Sequence, residues 1–408
     1  MDYEGLLDRL NLYLSEPIED AASRASSEFD QFSRSCENRL ILFGAGKIGR
    51  QVLSALRNDK ITPLAFSDNN PQLWGELVDG LLVISPEEAA ASFGRNACFI
   101  VTIYNSGHHS FFSIRSQLVA LGCDLVIPVL SLRWKFFNTF LPYYHDVLPQ
   151  SILSHHENIR EAFTIWGDDL SRQEYVAQIA WRLRGEVELL TPPLIDSQYF
   201  PEGLFDLTPH EIFLDLGAYD GDTVLSFLGV RGNEFERVLA FEPDPENFAR
   251  LRAYQATLPP HLQQRIEIYP LAASNHNGHL RFVAGDRLQS CIDPTGTIEI
   301  QSVRLDDFLA NQHPTYIKMD IEGAEPDALE GCQQIIRSSR PILAVCVYHA
   351  PDHLWSIPSR LHSSLIDYNL FLRPHMPDCW DTVCYAVPHN RLSKQVCLKL
   401  SPSFTKRV

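Results

Sequence analysis

Acids and glycines alternate in the segment EIFLDLGAYDGDT, residues 211–223, with a spacing that suits a ligand-binding turn. The apolar run 212–214 predicts a short buried parallel strand, which Asp215 closes. Gly217 and Gly221 then permit a tight turn and a close approach of backbone to a ligand. A helix is predicted to begin near residue 224. A strand, a glycine turn and a helix N-terminus together form a nucleotide cradle.

The charges in this turn indicate which nucleotide it suits. Asp220, Asp222 and Thr223 are predicted to cap the following helix, and the aspartates would repel a pyrophosphate. The next predicted strand, residues 238–241, ends in Glu242, where an acid holds a ribose diol. A ligand with ribose hydroxyls and a positive charge fits these acids, so S-adenosylmethionine is favoured over NAD.

Composition limits the partners and the compartment. The chain has 408 residues, 45% of them hydrophobic, and a formal net charge of −17, which argues against nucleic acid or an anionic membrane as the main partner. Its nine cysteines include no CxxC pair, which favours reduced thiols in a cytoplasmic protein. It has no run of 18 apolar residues, and its acidic N-terminus is unlike a signal peptide, so no membrane insertion is expected.

The order of apolar and turn segments predicts an α/β protein with two Rossmann-like domains joined by a helical connector. Residues 1–36 are predicted to be a helical segment and residues 37–135 the first Rossmann-like domain. A helical connector is predicted for residues 136–195, and the second, catalytic domain for residues 196–408.

The first domain carries GAGKIG, in which Gly44, Gly46 and Gly49 spell the dinucleotide fingerprint, followed some 20 residues on by Asp68. The segments that follow depart from a dehydrogenase. The pattern, with its DNNP segment, resembles the N-terminal nucleotide-sugar-binding domain of sugar O- and N-acyltransferases. That resemblance implies a nucleotide-sugar site at these four residues. The alternative is a Rossmann-like domain without a ligand, used for packing or dimerisation.

The second domain resembles the FkbM family of S-adenosylmethionine-dependent methyltransferases. The resemblance covers residues 196–390 and rests on FLDLGAYDGDT, AFEPDPENF, LAASN, VRLDDFL, IKMDIEGAE and the stretch 344–355, which occur in the family's order. It implies a class I methyltransferase sheet of seven strands, the last inserted antiparallel. It also implies O-methylation, often of a sugar or polyketide hydroxyl.

The ligand contacts expected in this domain follow the ends of its predicted strands. The cofactor-binding residues are predicted to be Asp215, Gly217, Asp220, Asp222, Glu242, Ala273, Ser274 and Asp320. Asp320 is expected to touch the methionine amine or to take the proton of the acceptor hydroxyl, and His349 is the other candidate base. Glu322 and Glu325 suit a helix N-terminus better than a metal loop, so no metal is expected.

The sequence therefore predicts an S-adenosylmethionine-dependent O-methyltransferase. Its acceptor is expected to be a hydroxyl of a sugar, a nucleotide sugar or a related small metabolite. The alternative is a non-catalytic sensor or scaffold whose two Rossmann-like domains both bind nucleotides. Acids at every expected cofactor contact favour the enzyme, and formation of a homo-oligomer is left open.

Overall fold

The structure is a computed structural model that describes residues 1–103, 110–283, 291–292 and 295–400. The chain divides into two compact units. The first unit comprises Met1–Phe163, Arg172–Pro193 and Met376–Trp380. The second unit comprises Thr164–Ser171, Leu194–His375 and the described residues from Asp381 onwards.

The first unit contains a mostly parallel sheet. Among its described residues, six strands form this sheet: β1 (Leu40–Phe43), β2 (Ala65–Ser67), β3 (Leu77–Val78), β4 (Leu81–Ile84), β5 (Cys98–Val101) and β6 (Leu125–Pro128). Their order is β3-β4-β2-β1-β5-β6, and the β3–β4 hairpin is the antiparallel pair. Buried parallel strands with helices on both faces are the arrangement of a parallel α/β sheet.

Helices cover both faces of this sheet. The helices up to the end of the first segment are α1 (Tyr3–Leu14), α2 (Ile18–Ser35), α3 (Lys47–Asn58), α4 (Pro86–Phe93), α5 (Phe111–Ala120), α6 (Leu130–Lys135), α7 (Phe137–Phe140), α8 (Pro149–Leu153) and α9 (His156–Phe163). The next helix, α10 (Asp169–Arg184), begins in residues assigned to the second unit. Because side chains alternate along a strand, Leu42 packs with Val52 of α3, whereas Phe43 packs with Ile114 of α5 on the opposite face.

The second unit contains the sheet that positions the catalytic candidates. Seven strands of its described part form this sheet: β7 (Ile212–Leu216), β8 (Arg237–Phe241), β9 (Ile266–Tyr269), β14 (Tyr316–Met319), β15 (Ile342–Cys346), β16 (Tyr368–Pro374) and β17 (Thr382–Pro388). Their order is β16-β17-β15-β14-β7-β8-β9, with β17 antiparallel to both of its neighbours. The predicted seven-stranded sheet with its last strand inserted antiparallel is confirmed.

A smaller sheet is built from the segment between β9 and β14. In the described residues it comprises β10 (Ala272–Ser274), β11 (Gly278–Val283), β12 (Cys291–Ile292) and β13 (Ile298–Arg304), in the order β10-β13-β11-β12. The remaining helices are α11 (Asp222–Arg231), α12 (Pro245–Thr257), α13 (Pro260–Gln263), α14 (Leu305–Phe308), α15 (Glu325–Gly331), α16 (Gln333–Ser339), α17 (His353–Ser364) and α18 (Lys394–Leu400).

Two helix ends in this unit have distinct local features. α15 and α16 meet at Cys332, and Asp306 accepts hydrogen bonds at 3.0 Å from the backbone N–H groups of Gln334 and Ile335 at the start of α16. The predicted side-chain cap of α11 was wrong, because it is absent from the described contacts. Its N-cap residue is Gly221, and no side chain caps the helix.

Candidate active site

Four polar side chains meet at one edge of the second unit's sheet. Asp215 lies near the end of β7, Glu242 follows β8, Asp320 follows β14, and His349 lies three residues beyond β15. The carboxyl ends of parallel strands share an edge, and ligands of open α/β sheets bind there. This edge therefore contains the candidate active site.

The glycine turn after β7 lies against the backbone that follows β14. Gly217 has φ +82°, and a Cβ at this position would lie 1.9 Å from the carbonyl oxygen of Asp320. Gly221 has φ +98°, and its Cβ would lie 2.5 Å from the ring of Tyr254. Only glycine fits such positions without displacement of backbone or ring.

Glu242 links this turn to the end of β8 through hydrogen bonds. Its Oε2 accepts a hydrogen bond from the backbone N–H of Tyr219 at 2.9 Å, and its Oε1 accepts one from Asp244 at 2.8 Å. Burial raises the pKa of Glu242 to about 7, although these two backbone hydrogen bonds oppose the shift. The carboxyl group is thus fixed beside the turn, at the position predicted to hold a ribose.

A buried ion pair lies beneath the turn. Nζ of Lys318 lies 3.1 Å from Oδ1 of Asp215 and donates a hydrogen bond to the carbonyl of Gly217 at 2.6 Å. Burial raises the pKa of Asp215 to about 6, although the charge of Lys318 opposes the shift. Oδ2 of Asp215 has no hydrogen-bond partner among the described residues. Lys318 thus pairs with a buried carboxylate.

His349 lies between two carboxylates. Its Nδ1 is 2.7 Å from Oε1 of Glu325, and its Nε2 is 3.2 Å from Oδ1 of Asp320. Burial alone would lower the pKa of His349, but the charge of Glu325 and the hydrogen bond to Asp320 outweigh it and raise that pKa well above its usual value. An imidazolium here is a hydrogen-bond donor at both nitrogens.

Asp320 is correspondingly held in its ionised form. Burial favours the neutral acid, but the hydrogen bond from His349 and the charge of Lys318 lower the pKa of Asp320 well below its usual value. The side chain is 25% exposed, whereas the side chain of His349 is fully buried. Asp320 therefore presents a permanent negative charge at the edge of the sheet.

Tyr199 also lies at this site, although no sequence motif indicated it. Its hydroxyl donates to Oδ2 of Asp320 at 2.7 Å, and its ring centre lies 5.1 Å from Nζ of Lys318. The backbone N–H of Tyr199 donates to the hydroxyl of Tyr385 at 3.0 Å. Tyr199 has φ +66°, which is rare for a bulky residue. A tyrosine in a segment without regular structure gave no sequence signal of this role.

The other predicted cofactor contacts are less closely connected to these four. Asp222 begins α11 and accepts a hydrogen bond from the N–H of Thr223 at 2.6 Å, and Asp220 lies in the turn before it. Ala273 and Ser274 are buried in β10 of the smaller sheet. No described contact joins Ala273 or Ser274 to Glu242 or Asp320, so their place at an adenine remains a prediction.

The glycine motif of the first unit forms the turn between β1 and α3. Gly44 has φ +110°, and a Cβ there would lie 2.7 Å from the side chain of Ile103. A Cβ on Gly49 would lie 2.0 Å from the carbonyl oxygen of Gly44, so the helix packs tightly on the turn. Gly46 is the N-cap of α3, and a Cβ there would meet nothing within 4 Å.

Asp68 accepts hydrogen bonds from this turn in the same pattern that Glu242 shows in the second unit. Its Oδ2 accepts from the N–H of Ala45 at 2.9 Å, and its Oδ1 accepts from the N–H of Asn70, two residues on, at 2.8 Å. In each unit, an acid at the end of the second strand thus bonds one amide of the glycine turn and one amide two residues along the chain.

The described chain shows neither a metal cluster nor a membrane span. No group of three or more histidine, cysteine or acidic side chains in it could hold a metal ion. Nor does any helix in this part have both the length and the apolar character needed to cross a bilayer.

The order and direction of the strands in the second unit define the class I methyltransferase fold. Residues 215–379 match the family model described as Methyltransferase FkbM domain. This region is therefore a methyltransferase domain of the FkbM type, as the sequence motifs indicated. No curated protein matches the chain.

One solved structure matches most of the chain. The structure is similar to that of Methyltransferase FkbM from Methylobacillus flagellatus KT, with a TM-score of 0.75 and 24% identity, over 94% of this chain and 100% of that chain. It is also matched by Precorrin-6y C5,15-methyltransferase from Geobacter metallireducens GS-15, at TM-score 0.29 and 11% identity over 45% of this chain and 83% of that one. The first match shows a shared fold; the second is too distant to support any argument.

Proposed function

We propose that the protein is an S-adenosylmethionine-dependent O-methyltransferase that acts on a hydroxyl of a sugar, a nucleotide sugar or a related small metabolite. The observation that carries the proposal is the set of acids around the glycine turn, in a domain of the FkbM type. S-adenosylmethionine supplies a methyl group on a positively charged sulfur. The negative charges of this edge suit such a cofactor.

The residues of the site fit this cofactor. Oδ2 of Asp215 is buried without a hydrogen-bond partner among the described residues and is available to the methionine amine. Glu242 retains lone pairs beyond its two backbone hydrogen bonds, and these are available to the ribose hydroxyls. The absence of a side chain at Gly217 lets the turn lie directly against the carbonyl group of Asp320, so the turn and Asp320 are held at the same edge.

The charge states of Asp320 and His349 favour a different role for each residue. We assign Asp320 to attraction of the cationic part of the cofactor, because its low pKa makes it a permanent charge and a weak base. His349 is protonated and lies between Asp320 and Glu325, which favours a role in orienting Asp320 over a role as base. The acceptor oxygen must be aligned with the methyl group, and water excluded, by this rigid edge.

Binding of the cofactor tests the proposal directly. Calorimetry is expected to detect S-adenosylmethionine binding, which Glu242→Ala weakens about ten- to a hundredfold, because a hydrogen bond to a carboxylate is worth about 1.5–3 kcal/mol. Unchanged affinity in Glu242→Ala would remove the ribose assignment. Incubation with labelled methyl donor and a panel of nucleotide sugars, read by mass spectrometry, is expected to reveal the acceptor. Transfer to none of them would remove the nucleotide-sugar class.

We further propose that Gly44, Gly46, Gly49 and Asp68 hold a nucleotide sugar in the first unit. Support comes from the matching arrangement of Asp68 and Glu242 at the ends of their second strands. Calorimetry with UDP-glucose is expected to show binding that Asp68→Ala abolishes. The matched control is the exposed Asp124, whose Asp124→Asn variant is expected to bind normally. Absence of binding by the unaltered protein would favour a first unit without a ligand.

A further inference from the structure

Neither Asp320 nor His349 has a charge state that suits it to remove the proton of the acceptor hydroxyl. Asp320 has a low pKa because its oxygens receive hydrogen bonds from His349 and Tyr199. His349 already carries a proton and contacts Glu325 as well. An efficient general base has a pKa near the working pH. A further carboxylate at the same edge is therefore of interest.

Asp381 reaches this edge because β17 runs antiparallel to its neighbours. Parallel strands bring their ends to the ligand-binding edge, but an antiparallel strand brings its beginning there. Val383 of β17 pairs with Cys346, the last residue of β15, and the N–H of Val347 donates to the carbonyl of Thr382 at 2.9 Å. Asp381 precedes Thr382, so it lies beside the segment that contains His349.

The side chain of Asp381 is connected to the site by two polar residues. The side chains of Tyr348 and Gln198 lie near its carboxylate and lower its pKa. Nε2 of Gln198 also donates to the hydroxyl of Tyr199 at 3.0 Å, and that hydroxyl donates to Asp320. Asp381 is partly exposed and has φ +44°, a backbone conformation that residues other than glycine seldom adopt.

Asp381 differs from Asp320 in its charge environment. The titratable groups around it are Asp320, Tyr348, His349, Tyr199 and Cys346. Burial and the nearby charge of Asp320 raise the pKa of Asp381 to about 6, and the hydrogen bond with Tyr348 opposes this rise. The charge of His349 opposes the rise as well. Two carboxyl groups whose pKa values are pushed apart in one site mark different catalytic roles.

We propose that Asp381 is the general base of the methyl transfer, an assignment that rests on the proposed function. As the acceptor oxygen bonds to the methyl carbon, the electron pair of the breaking carbon–sulfur bond returns to sulfur. The hydroxyl proton passes to the carboxylate of Asp381 and leaves to solvent. Asp320 keeps its charge throughout.

Two inhibitors test this assignment without knowledge of the acceptor. Sinefungin carries an amine-bearing carbon in place of the methylated sulfur, and S-adenosylhomocysteine has neither the amine nor the methyl group. Their adenosine and amino-acid parts are the same, so the titration of Glu242 and Asp215 largely cancels in the ratio of their affinities. A charge on Asp381 near the transferred methyl group favours the amine of sinefungin alone.

Calorimetry with both inhibitors is to be performed from about pH 5 to about pH 8, a range that includes the titration of Asp381. The preference of the unaltered protein for sinefungin is expected to rise about two- to fivefold from the low to the high end of this range, as for a solvent-exposed charge pair. Asp381→Asn is expected to remove the rise. The matched control is Asp367→Asn, because Asp367 also has positive φ but is exposed and lies 3.8 Å from Arg340.

The outcomes separate the two proposals. A constant preference in the unaltered protein, or a rise that survives in Asp381→Asn, overturns the assignment of the base. If neither inhibitor binds the unaltered protein, the proposed function itself fails. S-adenosylhomocysteine affinity checks the fold of Asp381→Asn, and Asp381→Ser is a second variant should that affinity be lost.

Discussion

At the scale of single residues, the environment of each acid shifts its pKa in a different direction. Asp320 and Glu325 flank the imidazole of His349 and stabilise its charged form. Asp215 and Glu242 are buried with fewer compensating charges, and burial raises their pKa values. Acids of the same type at the ends of neighbouring strands are thus divided into permanent charges and groups that titrate near neutral pH.

Tyr199 provides the first residue-scale prediction. Tyr199→Phe removes the hydrogen bond to Asp320, so turnover with the acceptor from the labelled-methyl panel is expected to fall about three- to tenfold, with the loss of about 1 kcal/mol. Asp320→Asn combined with Tyr199→Phe is expected to cost less than the product of the single effects, because residues in one hydrogen-bond network are not additive.

Tyr368 provides the control for this prediction. Its hydroxyl donates to the carbonyl of Pro341 at 2.9 Å, and it has no described contact with Asp320. Tyr368→Phe loses one hydrogen bond of similar kind and is expected to keep full turnover. Independent effects in the double variant would show that Tyr199 does not act through Asp320.

At the scale of elements, the site is assembled by strand order. The strands β7 and β14 are neighbours in the sheet, although about 100 residues separate them in the chain, and their register places Lys318 beside Asp215. The turn after β7 consequently lies on the backbone after β14, which is why Gly217 approaches Asp320 so closely.

Gly217→Ala tests this contact between elements. The added Cβ would lie 1.9 Å from the carbonyl of Asp320, at a backbone conformation that alone costs about 1–3 kcal/mol for a residue with a side chain. Thermal unfolding is expected at a temperature several degrees lower, and calorimetry is expected to show no S-adenosylmethionine binding.

Gly232→Ala separates the close approach from the backbone conformation. Gly232 also has positive φ, but a Cβ there would meet nothing within 4 Å. Gly232→Ala is therefore expected to lower stability less and to preserve cofactor binding. Equal effects in the two variants would contradict the importance of the contact with Asp320.

At the scale of the whole molecule, the concentration of acids has a cost in stability. The chain has a formal net charge of −17, and self-repulsion opposes a compact state. The folded pKa of Glu242, about 7, lies above the value of an unfolded glutamate. The folded state thus binds more protons than the unfolded state between these values, so the contribution of Glu242 to the free energy of unfolding falls as pH rises.

The pH dependence of unfolding tests this cost. Between about pH 5 and about pH 7, Glu242→Gln is expected to reduce the loss of stability with rising pH, by about 2 kcal/mol over the range. The readout is the change in slope, obtained from the thermal unfolding midpoints of both proteins across this range. The lost backbone hydrogen bond shifts stability equally at each pH and therefore leaves the slope unchanged. Parallel curves for the two proteins would contradict the raised pKa of Glu242.

The sequence by itself determined the glycine turns and the acids at strand ends, because these depend on spacing within a few residues. Tertiary structure alone decided that Tyr199 bonds Asp320 across 121 positions, that His349 lies between two carboxylates, and that an antiparallel strand brings Asp381 to the same edge. These partners meet through sheet order and register, and a charged group's protonation depends on burial and neighbours that no local pattern encodes. For the same reason, the FkbM-type domain was predictable from motifs, whereas the pKa shifts of its acids were not.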